Sequence, residues 1–515
     1  MMRLLELLPV IFAGLHPLVN ALSEQTPAFH SFPFTVQPFT ILERSPTYDP
    51  DNINLYLVCP NGGAVPDPGA AIYKSNGELV WANSTFGACN DLNLQTFDGE
   101  DFLTFWVGAG SAAAGGQMGF GTVIMMNSNY EVVMNVSAVN PEGTDLHEFN
   151  IVKPDNQTAL VTAFHTIPMD LSAIGGPVNG WYSNGVIQEV DIASGAVLFN
   201  WTTFDHIALE ESFNNISLTG QGFAEETPFD AVHINAIDKD SDGNYIISAR
   251  HTQTIYKIAA NGTILWRLGG KMSDFTSIGS GTEFHWQHHA RWRMNETHIS
   301  LFDDGAAILG ENVTVIDEAE ATGKYLKIDQ RAMTVSLAKI FKPGPSHNFS
   351  IAEGSVELYG NEVLVGYGLL PWFEAYSFDT EERLFSAVIG PNDPSLRNNN
   401  AGISNYRAFR TTTQQFIGHP TQPPNVSLTD GNIFVSWNGA THVASYTLLT
   451  GHSPENLSTM VATVPKSGFE TKISSKGSQQ FVAVAAKAAN GTVLAQSLVY
   501  RTGNSESTPW LEKRG

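Results

Sequence analysis

The sequence predicts an all-β protein, a β-propeller followed by a small β-sandwich, on three observations. A hairpin unit of apolar strand, polar turn and second apolar strand returns at intervals of tens of residues, and almost no amphipathic helical period separates the copies. After a Pro-containing linker, short strands then follow one another closely, without any cluster of histidines or acids.

The chain begins with Arg3 and a broken apolar run, Leu4 to Leu18, ending in Val19-Asn20-Ala21. A small residue closing such a run suits signal peptidase, so residues 1–21 read as a signal peptide, too short and too interrupted to anchor in a bilayer. No later run is apolar enough for a transmembrane helix, and no membrane span is expected. Twelve Asn-x-Ser/Thr sequons, at Asn83, Asn135, Asn156, Asn200, Asn215, Asn261, Asn295, Asn312, Asn348, Asn425, Asn456 and Asn490, agree with a secreted glycoprotein. The only cysteines, Cys59 and Cys89, are expected to form one disulfide in an oxidising compartment.

The propeller is expected over residues 30–415. Its hairpin unit appears first as IYKSNGELVW, Ile72 to Trp81, where apolar and polar residues alternate around an Asn-Gly turn. It returns as VIQEVDIASGAVLFNW from Val186, TIYKIAANGTILWRL from Thr254 and FEAYSFDTEERLFSAV from Phe373. The length suits six blades of roughly 60-odd residues, or seven or eight shorter ones. Gly108 to Gly121 and Asp205 to Glu226 are poor strands and read as long loops of the kind that shape a binding face. The linker GHPTQPPN follows Arg410, and residues 423–502 read as a β-sandwich of immunoglobulin or fibronectin type III kind, with 503–515 a polar tail.

Composition narrows the chemistry. With 42% hydrophobic and 15% charged residues the chain is a well-buried globular protein. Its 51 acidic against 27 basic side chains give a net charge of −24, which repels phosphate backbones and argues against a nucleic-acid partner. Oligomeric state is not readable.

Polar residues crowd one sheet-like stretch, Asp230 to Trp292. In AVHINAI, His233 and Asn235 stand two apart and share a strand face. Ser248 and Arg250 repeat the relation in YIISARHT, and the Asp-Ser-Asp-Gly turn between the runs makes them one hairpin, so Arg250 is expected beside His233 and Asn235. Arginine, asparagine and histidine together form a donor-rich cradle for a tetrahedral oxyanion such as a sulfuryl or phosphoryl group. The alternative pairs Arg250 with a nearby aspartate and leaves His233 as an interior histidine. In His285-Trp286-Gln287-His288-His289 the imidazoles could ligate a metal, but His288 and His289 face opposite sides of a strand and no third ligand follows at a familiar spacing, so no metal and no cofactor is expected. His147, in GTDLHEFNIV, precedes an apolar strand where a propeller strand would enter the central channel. Neither a Walker-type phosphate loop nor a GxSxG elbow is present.

At these residues the chain resembles the arylsulfotransferase family, specifically its secreted fungal branch, over roughly residues 50 to 500. DAVHINAIDKDSDGNYIISARHTQTIYKI, WRLGGK, the adjacent Gln287 and His288, and SLFDDG carry the resemblance. It implies a six-bladed propeller with its site in the central channel, and ping-pong transfer of a sulfuryl group from a phenolic ester to a phenol without the nucleotide sulfate donor. By motif position His288 matches the histidine that attacks sulfur, His233, Asn235 and Arg250 match the oxyanion-binding strand pair, and His147 matches a further channel histidine that stabilises charge or assists proton transfer. Many members of that family carry an acid where this chain has His289, a change that could alter the nucleophile's surroundings or simply lie on the opposite face. Partners would then be an aromatic donor and an aromatic acceptor. Two other readings compete, a propeller enzyme that cyclises or rearranges an aromatic natural product, and a secreted glycoprotein that only binds a ligand.

Overall fold

The computed structural model describes residues 4–6, 28–110, 118–309, 313–344, 349–391, 393, 402–474 and 480–502. The described chain is all-β, with helix confined to single turns such as Leu209–Glu211 and Ile216–Thr219. Both turns lie in the long loop expected from Asp205 to Glu226. Of the other expected loop, residues 111–117 lie outside the described residues, while its two ends belong to the strands Glu100–Gly110 and Gly119–Met126.

Six sheets follow in chain order, each built on a run of four antiparallel strands, and the second, third and fourth are stacked wholly in sequence order, while Thr276–Ile278 joins the fifth as a parallel edge strand. The first joins Phe409–Thr412 to Asn54–Val58, Ala70–Lys74 and Leu79–Asn83. The second holds Cys89–Phe97, Glu100–Gly110, Gly119–Met126 and Val132–Val136, the third Phe149–Ile151, Thr158–Met169, Gly180–Asp191 and Val197–Thr202. The fourth holds Ile234–Lys239, Tyr245–Ala249, Thr254–Ile258 and Ile264–Gly269. The fifth runs from His288–Arg293 through His298–Asp303 and Thr322–Asp329 to Thr334–Phe341 and Thr276–Ile278, and the sixth from Ser355–Tyr359 through Glu362–Gly366 and Trp372–Ser377 to Arg383–Ile389 and Phe39–Arg44. The first and sixth sheets thus each combine strands from the two ends of this region.

All four copies of the hairpin unit are adjacent strand pairs, each in a different sheet. Local chemistry explains the turns. In the first copy Gly77 takes φ +88° and its N–H bonds to the Lys74 carbonyl, while a side chain there would press within 2.9 Å of the Phe39 carbonyl oxygen, so only glycine fits.

Six apolar clusters join the sheets in pairs. Leu57 and Trp81 pack with Leu103 and Ile124, Trp106 and Val123 with Ala159 and Val186, and Leu160 and Ile187 with Ile237 and Tyr256. Ile246 and Trp266 pack with Ile299 and Leu326, Tyr325 and Phe341 with Val363 and Tyr376, and Leu364 and Phe385 return to Tyr56 and Tyr73 of the first sheet. Each large side chain so buried contributes about 1.5–3 kcal/mol. Cys59, just past a strand of the first sheet, and Cys89, opening the second, form a disulfide across a Cα–Cα distance of 5.5 Å.

The C-terminal region has two further antiparallel sheets, Asn425–Thr429, Asn432–Ser436 and Glu470–Ser474 in one, with Ser445–Gly451, Thr459–Pro465, Phe481–Lys487, Val493–Gln496 and Tyr500–Arg501 in the other. Val435, Tyr446, Leu448 and Val484 share one core between them. The strand Thr459–Pro465 turns its apolar residues Met460 and Val461 to solvent. Asn438 ties this region to the first sheet by bonds to the Ala82 backbone of 2.8 and 3.0 Å.

Ten of the twelve sequon asparagines are described, and none is buried: Asn83 and Asn156 are half-buried and the rest exposed. Asn312 and Asn348 lie outside the described residues, as do the 503–515 tail and most of the expected signal peptide. Leu4–Glu6 pairs with Val313–Ile316. Among the described residues no helix is long and apolar enough to cross a membrane.

Candidate active site

Each of the six sheets sends polar side chains from the start of its first strand to a common centre. Asp91 is the third residue of Cys89–Phe97, His147 and His233 immediately precede Phe149–Ile151 and Ile234–Lys239, and His288 opens its strand. Glu353 precedes Ser355–Tyr359, and Tyr406 and Arg407 precede Phe409–Thr412. Several of these entries have left-handed backbone, with φ +60° at Asp91, +55° at His233 and +71° at Glu353. A non-glycine residue there costs about 1–2 kcal/mol, a strain that well-packed surroundings hold and that clusters at functional sites.

Three imidazoles dominate the centre, and each has an aspartate on Nδ1. His147 Nδ1 is 2.5 Å from Asp145 Oδ2, His233 Nδ1 is 2.6 Å from Asp230 Oδ2, and His288 Nδ1 is 2.6 Å from Asp304 Oδ2. The His147 and His233 ring centres are 4.7 Å apart, and Tyr406 stands between the group's halves, 5.6 Å from His147 and 6.3 Å from His288. An Nδ1–H given to a carboxylate fixes the tautomer and leaves the lone pair on Nε2. At His288 that lone pair accepts the Glu353 backbone N–H at 3.3 Å.

Burial sets the charge states. It pushes His288 well below the usual 6.5, with Arg250 and the other two histidines adding to the effect, and it does the same to His233, where His147 and Arg250 contribute. Burial also raises the Asp304 carboxyl well above its ordinary range, against the pull of Arg250. Because His288 Nε2 accepts the Glu353 N–H, the one proton that His288 and Asp304 hold together lies in the Nδ1···Oδ2 bond. At Asp145 burial alone would raise the carboxyl, but His147 and three hydrogen bonds outweigh it and hold it low.

Arg250, 4% exposed, has no carboxylate within salt-bridge distance among the described residues. Its Nη2 donates to the Ile351 carbonyl at 2.7 Å, its Nη1 to His251 Nε2 at 2.8 Å, and its Nε–H has no partner among the described residues. The aspartate pairing weighed from sequence is absent as a direct contact. Burial lowers the Arg250 pKa, with Asp304 and Asp230 opposing at longer range. Arg407 is the opposite case. It pairs with Asp91 at 2.7 Å and Glu148 at 3.2 Å, and its Nη2 donates to the carbonyls of His147 and Asn235, both at 2.7 Å, which binds three strand entries together.

The hairpin placing His233 beside Arg250 forms, as a backbone bond: the Arg250 N–H donates to the His233 carbonyl at 2.9 Å. The same-face argument for Asn235 does not hold, because the pairing register shifts between Ile234 and Ala236 and His233 is left-handed. Asn235 instead gives its amide N–H to the Gln287 carbonyl at 2.7 Å, fixing the residue before His288, and its Oδ1 has no partner among the described residues. His288 and His289 diverge through a second register shift. His289 accepts the Val356 N–H and lines a cavity of about 520 Å³ with Asp91, Arg291, Arg293 and Arg407. His285 bonds to Gln253, away from the group.

Asp230, His233 and His251 bring potential ligand atoms within 4.8 Å of one another. Arg250 donates to His251 Nε2, however, so the ring proton of His251 is on Nδ1, where it donates to the Asp230 carbonyl at 2.7 Å. A cation there would have to displace that proton, and the arrangement fits hydrogen bonding better than a metal. Sequence reasoning missed Asp145, Asp230 and Asp304 as partners of the three histidines, although each lies inside a motif already singled out. It had no signal for Glu353, Tyr406 and Arg407, which come from ordinary-looking strand entries far along the chain.

Comparison with known proteins adds to the geometry. Comparison with curated proteins finds no match. Among solved structures, a protein of unknown function from Bacteroides caccae is 14% identical over 70% of this chain and 98% of its own, with a TM-score of 0.38. A functionally unknown protein from Desulfotomaculum acetoxidans is 12% identical, covering 89% of this chain and 98% of its own at a TM-score of 0.32. The WD40 domain of Toxoplasma gondii coronin is 8% identical, covering 80% and 85% at a TM-score of 0.32. At these scores none of the three carries an argument. The model of the Arylsulfotransferase (ASST) family matches residues 93–387, more than half of the chain and inclusive of His147, His233, Arg250, His288 and Glu353. The chain that assembles this centre belongs to the arylsulfotransferase family.

Proposed function

We propose that the protein transfers a sulfuryl group from a phenolic sulfate ester to a phenol, without a nucleotide sulfate donor, through a covalent intermediate on His288. The observation that carries the reading is Arg250, a buried cation with no carboxylate on it, next to imidazoles whose Nδ1 atoms are all held by aspartates. An unpaired buried cation costs several kcal/mol, and a bound anion is what offsets it. The guanidinium fork suits two oxygens of a sulfuryl group.

In the first half-reaction the His288 Nε2 lone pair attacks sulfur, the N–S bond forms and the sulfur–aryl oxygen bond breaks. The aryl oxygen leaves with the bonding pair and takes up a proton. Asp304 stabilises the positive charge that the sulfurylated ring acquires. In the second half the acceptor's phenolic oxygen attacks sulfur, the N–S bond breaks, the phenolic proton passes to a base and His288 returns neutral. His147 and His233 flank the reacting sulfur as further charge-stabilising or proton-accepting groups, and Asn235 orients His288 through Gln287.

The same reading takes the six sheets as blades of a six-bladed propeller spanning 30–415, supported by the apolar cluster that pairs the sixth sheet with the first. Residues 423–502 form an immunoglobulin- or fibronectin III-like sandwich, supported by their two antiparallel sheets around one core. Secretion, with removal of residues 1–21 and glycosylation of the sequons, is supported by the exposure of most sequon asparagines and by the disulfide.

The test is incubation with a chromogenic aryl sulfate and a phenol. Acceptor-dependent release, lost in His288→Ala, is expected, together with a sulfuryl adduct on His288 in the mass spectrum after donor alone. No adduct on the wild-type protein sinks the covalent reading, and ligand binding without turnover favours a binding protein.

A further inference from the structure

The first half-reaction needs a proton for the departing aryl oxygen, and His233 and His288 are poorly suited to give it. With Nδ1–H directed at Asp230, a neutral His233 ring presents a lone pair at Nε2 and no proton, and burial keeps that ring neutral. His288 is the attacking group. A donor near its Nε2 is required, and the chain places one there.

We propose that the Glu353 carboxyl is the proton carrier of the transfer, an inference that rests on the sulfuryl-transfer reading above. The Glu353 backbone N–H lies 3.3 Å from His288 Nε2, the atom that would hold the sulfuryl group. A glutamate carboxyl reaches no more than about 6 Å from its own nitrogen, so this one is within a substrate's width of the sulfur. Its backbone is pinned in the left-handed region at φ +71° and is followed by Gly354 at φ +110°, a turn that holds the residue at the strand entry. Glu353 Oε2 is buried with no partner among the described residues.

The surroundings hold the proton on. Glu353 faces Asp91, Asp304, Tyr406 and His288, with Arg250 reaching only as far as the neighbouring Ile351 carbonyl. Burial first, then the charge of Asp91, lifts the Glu353 carboxyl to about 8. It is thus protonated at neutral pH in the free protein. It gives its proton to the aryl oxygen as the sulfur–oxygen bond breaks, leaves the first half-reaction as a carboxylate, and takes the acceptor's phenolic proton as the second sulfur–oxygen bond forms. The two halves balance, with no other co-reactant.

The experiment compares the full chain with Glu353→Gln on two donors, 4-nitrophenyl sulfate, whose phenolate leaves readily unprotonated, and phenyl sulfate, whose phenolate does not. The expected result is a fall of about 100-fold with phenyl sulfate but less than about 5-fold with 4-nitrophenyl sulfate, within the usual range for loss of a general acid. Wild-type turnover of phenyl sulfate should also decline as pH rises through about 8, and this limb should vanish in the variant. Glu353→Asp, which keeps the acid, should restore part of the phenyl sulfate rate. Equal losses on both donors, or an unchanged pH limb, overturn the proposal. Sulfuryl labelling of His288 by 4-nitrophenyl sulfate is read in the same samples: absent from wild type, it is the transfer reading that fails, and present in both proteins with no donor discrimination, only the Glu353 proposal does.

Discussion

Arg250→Met is the most direct test of the centre's electrostatics, because stability and activity should separate. The substitution removes two hydrogen bonds from a charged donor, to the Ile351 carbonyl and His251 Nε2. Such bonds contribute about 1.5–3 kcal/mol each. It also relieves a buried guanidinium, 4% exposed and without a carboxylate, of a desolvation penalty of several kcal/mol. The two effects nearly cancel, leaving a net change within about 2 kcal/mol. For a region of this size, at roughly 2.1 cal/mol/K per residue, that is a Tm shift of no more than about 3 °C. Turnover behaves differently. Loss of one preorganised donor to a developing anion typically costs about 10²–10³ in rate, and a fork that grips two oxygens belongs at the upper end. The assay is kcat/KM for 4-nitrophenyl sulfate with a phenol acceptor beside a thermal melt, and Arg250→Lys, which keeps charge but loses the fork, should fall between. A kcat/KM within about 3-fold of wild type would refute the assignment, since about 0.7 kcal/mol is too little for an anion's main counter-charge. A melt lowered by more than 10 °C would refute it from the other side, showing Arg250 to be chiefly structural.

Asp304→Asn should leave the fold intact, yet reduce His288 labelling by about 10³–10⁴, because an amide that donates to Nδ1 moves the ring proton to Nε2 and occupies the nucleophilic lone pair. His251, depressed by burial to about 3, accepts a proton in the unfolded chain at about 6.5 but not in the folded one, so stability is intact above that pH and declines as pH falls through the window between the two values. By pH 5 this one ring costs about 2 kcal/mol, and His251→Gln should show a correspondingly flatter loss of Tm between pH 7 and 5. Cys59→Ala paired with Cys89→Ala opens a loop with a sequence separation of 30 and should lower stability by about 3–4 kcal/mol, read as a lower melt that reducing agent no longer changes.

Much of this was legible in the sequence for a physical reason: hairpins are local. The Asn-Gly at Asn76-Gly77 specifies its own turn, and all four hairpins were found where alternation and turn residues predicted them. The site was half legible. His147, His233 and His288 stand at strand entries, and the flanking patterns exposed them. Asp145 and Asp230, two and three residues upstream of their histidines, were not read as partners although they lie close in sequence, and Asp304 reaches His288 across a hairpin whose register shifts between His288 and Arg291, which no local pattern reports. The same irregularity sends His289 to the opposite cavity, and the one between Ile234 and Ala236 turned Asn235 from the expected cradle to the Gln287 carbonyl. Strand parity fails wherever a bulge intervenes, and the bulges sit at the entries where the functional groups are. Glu353, Tyr406 and Arg407 were illegible because their meaning lies in which other sheets they meet.

The charges at the centre also bear on what can bind there. Arg407 is neutralised in place by Asp91 and Glu148. Burial keeps His233 and His288 neutral and holds a proton on Glu353. Arg250 is then the cation left without a counter-charge on it, in a chain whose net charge is −24. An aryl sulfate carries one negative charge and would match it, whereas an aryl phosphate, doubly charged above a pKa of about 6, would bring a second charge into the same low-dielectric space with nothing to meet it. The overall acidity of the protein and Arg250 at the centre therefore act together, one repelling polyanions at a distance and the other accepting a monoanion at contact.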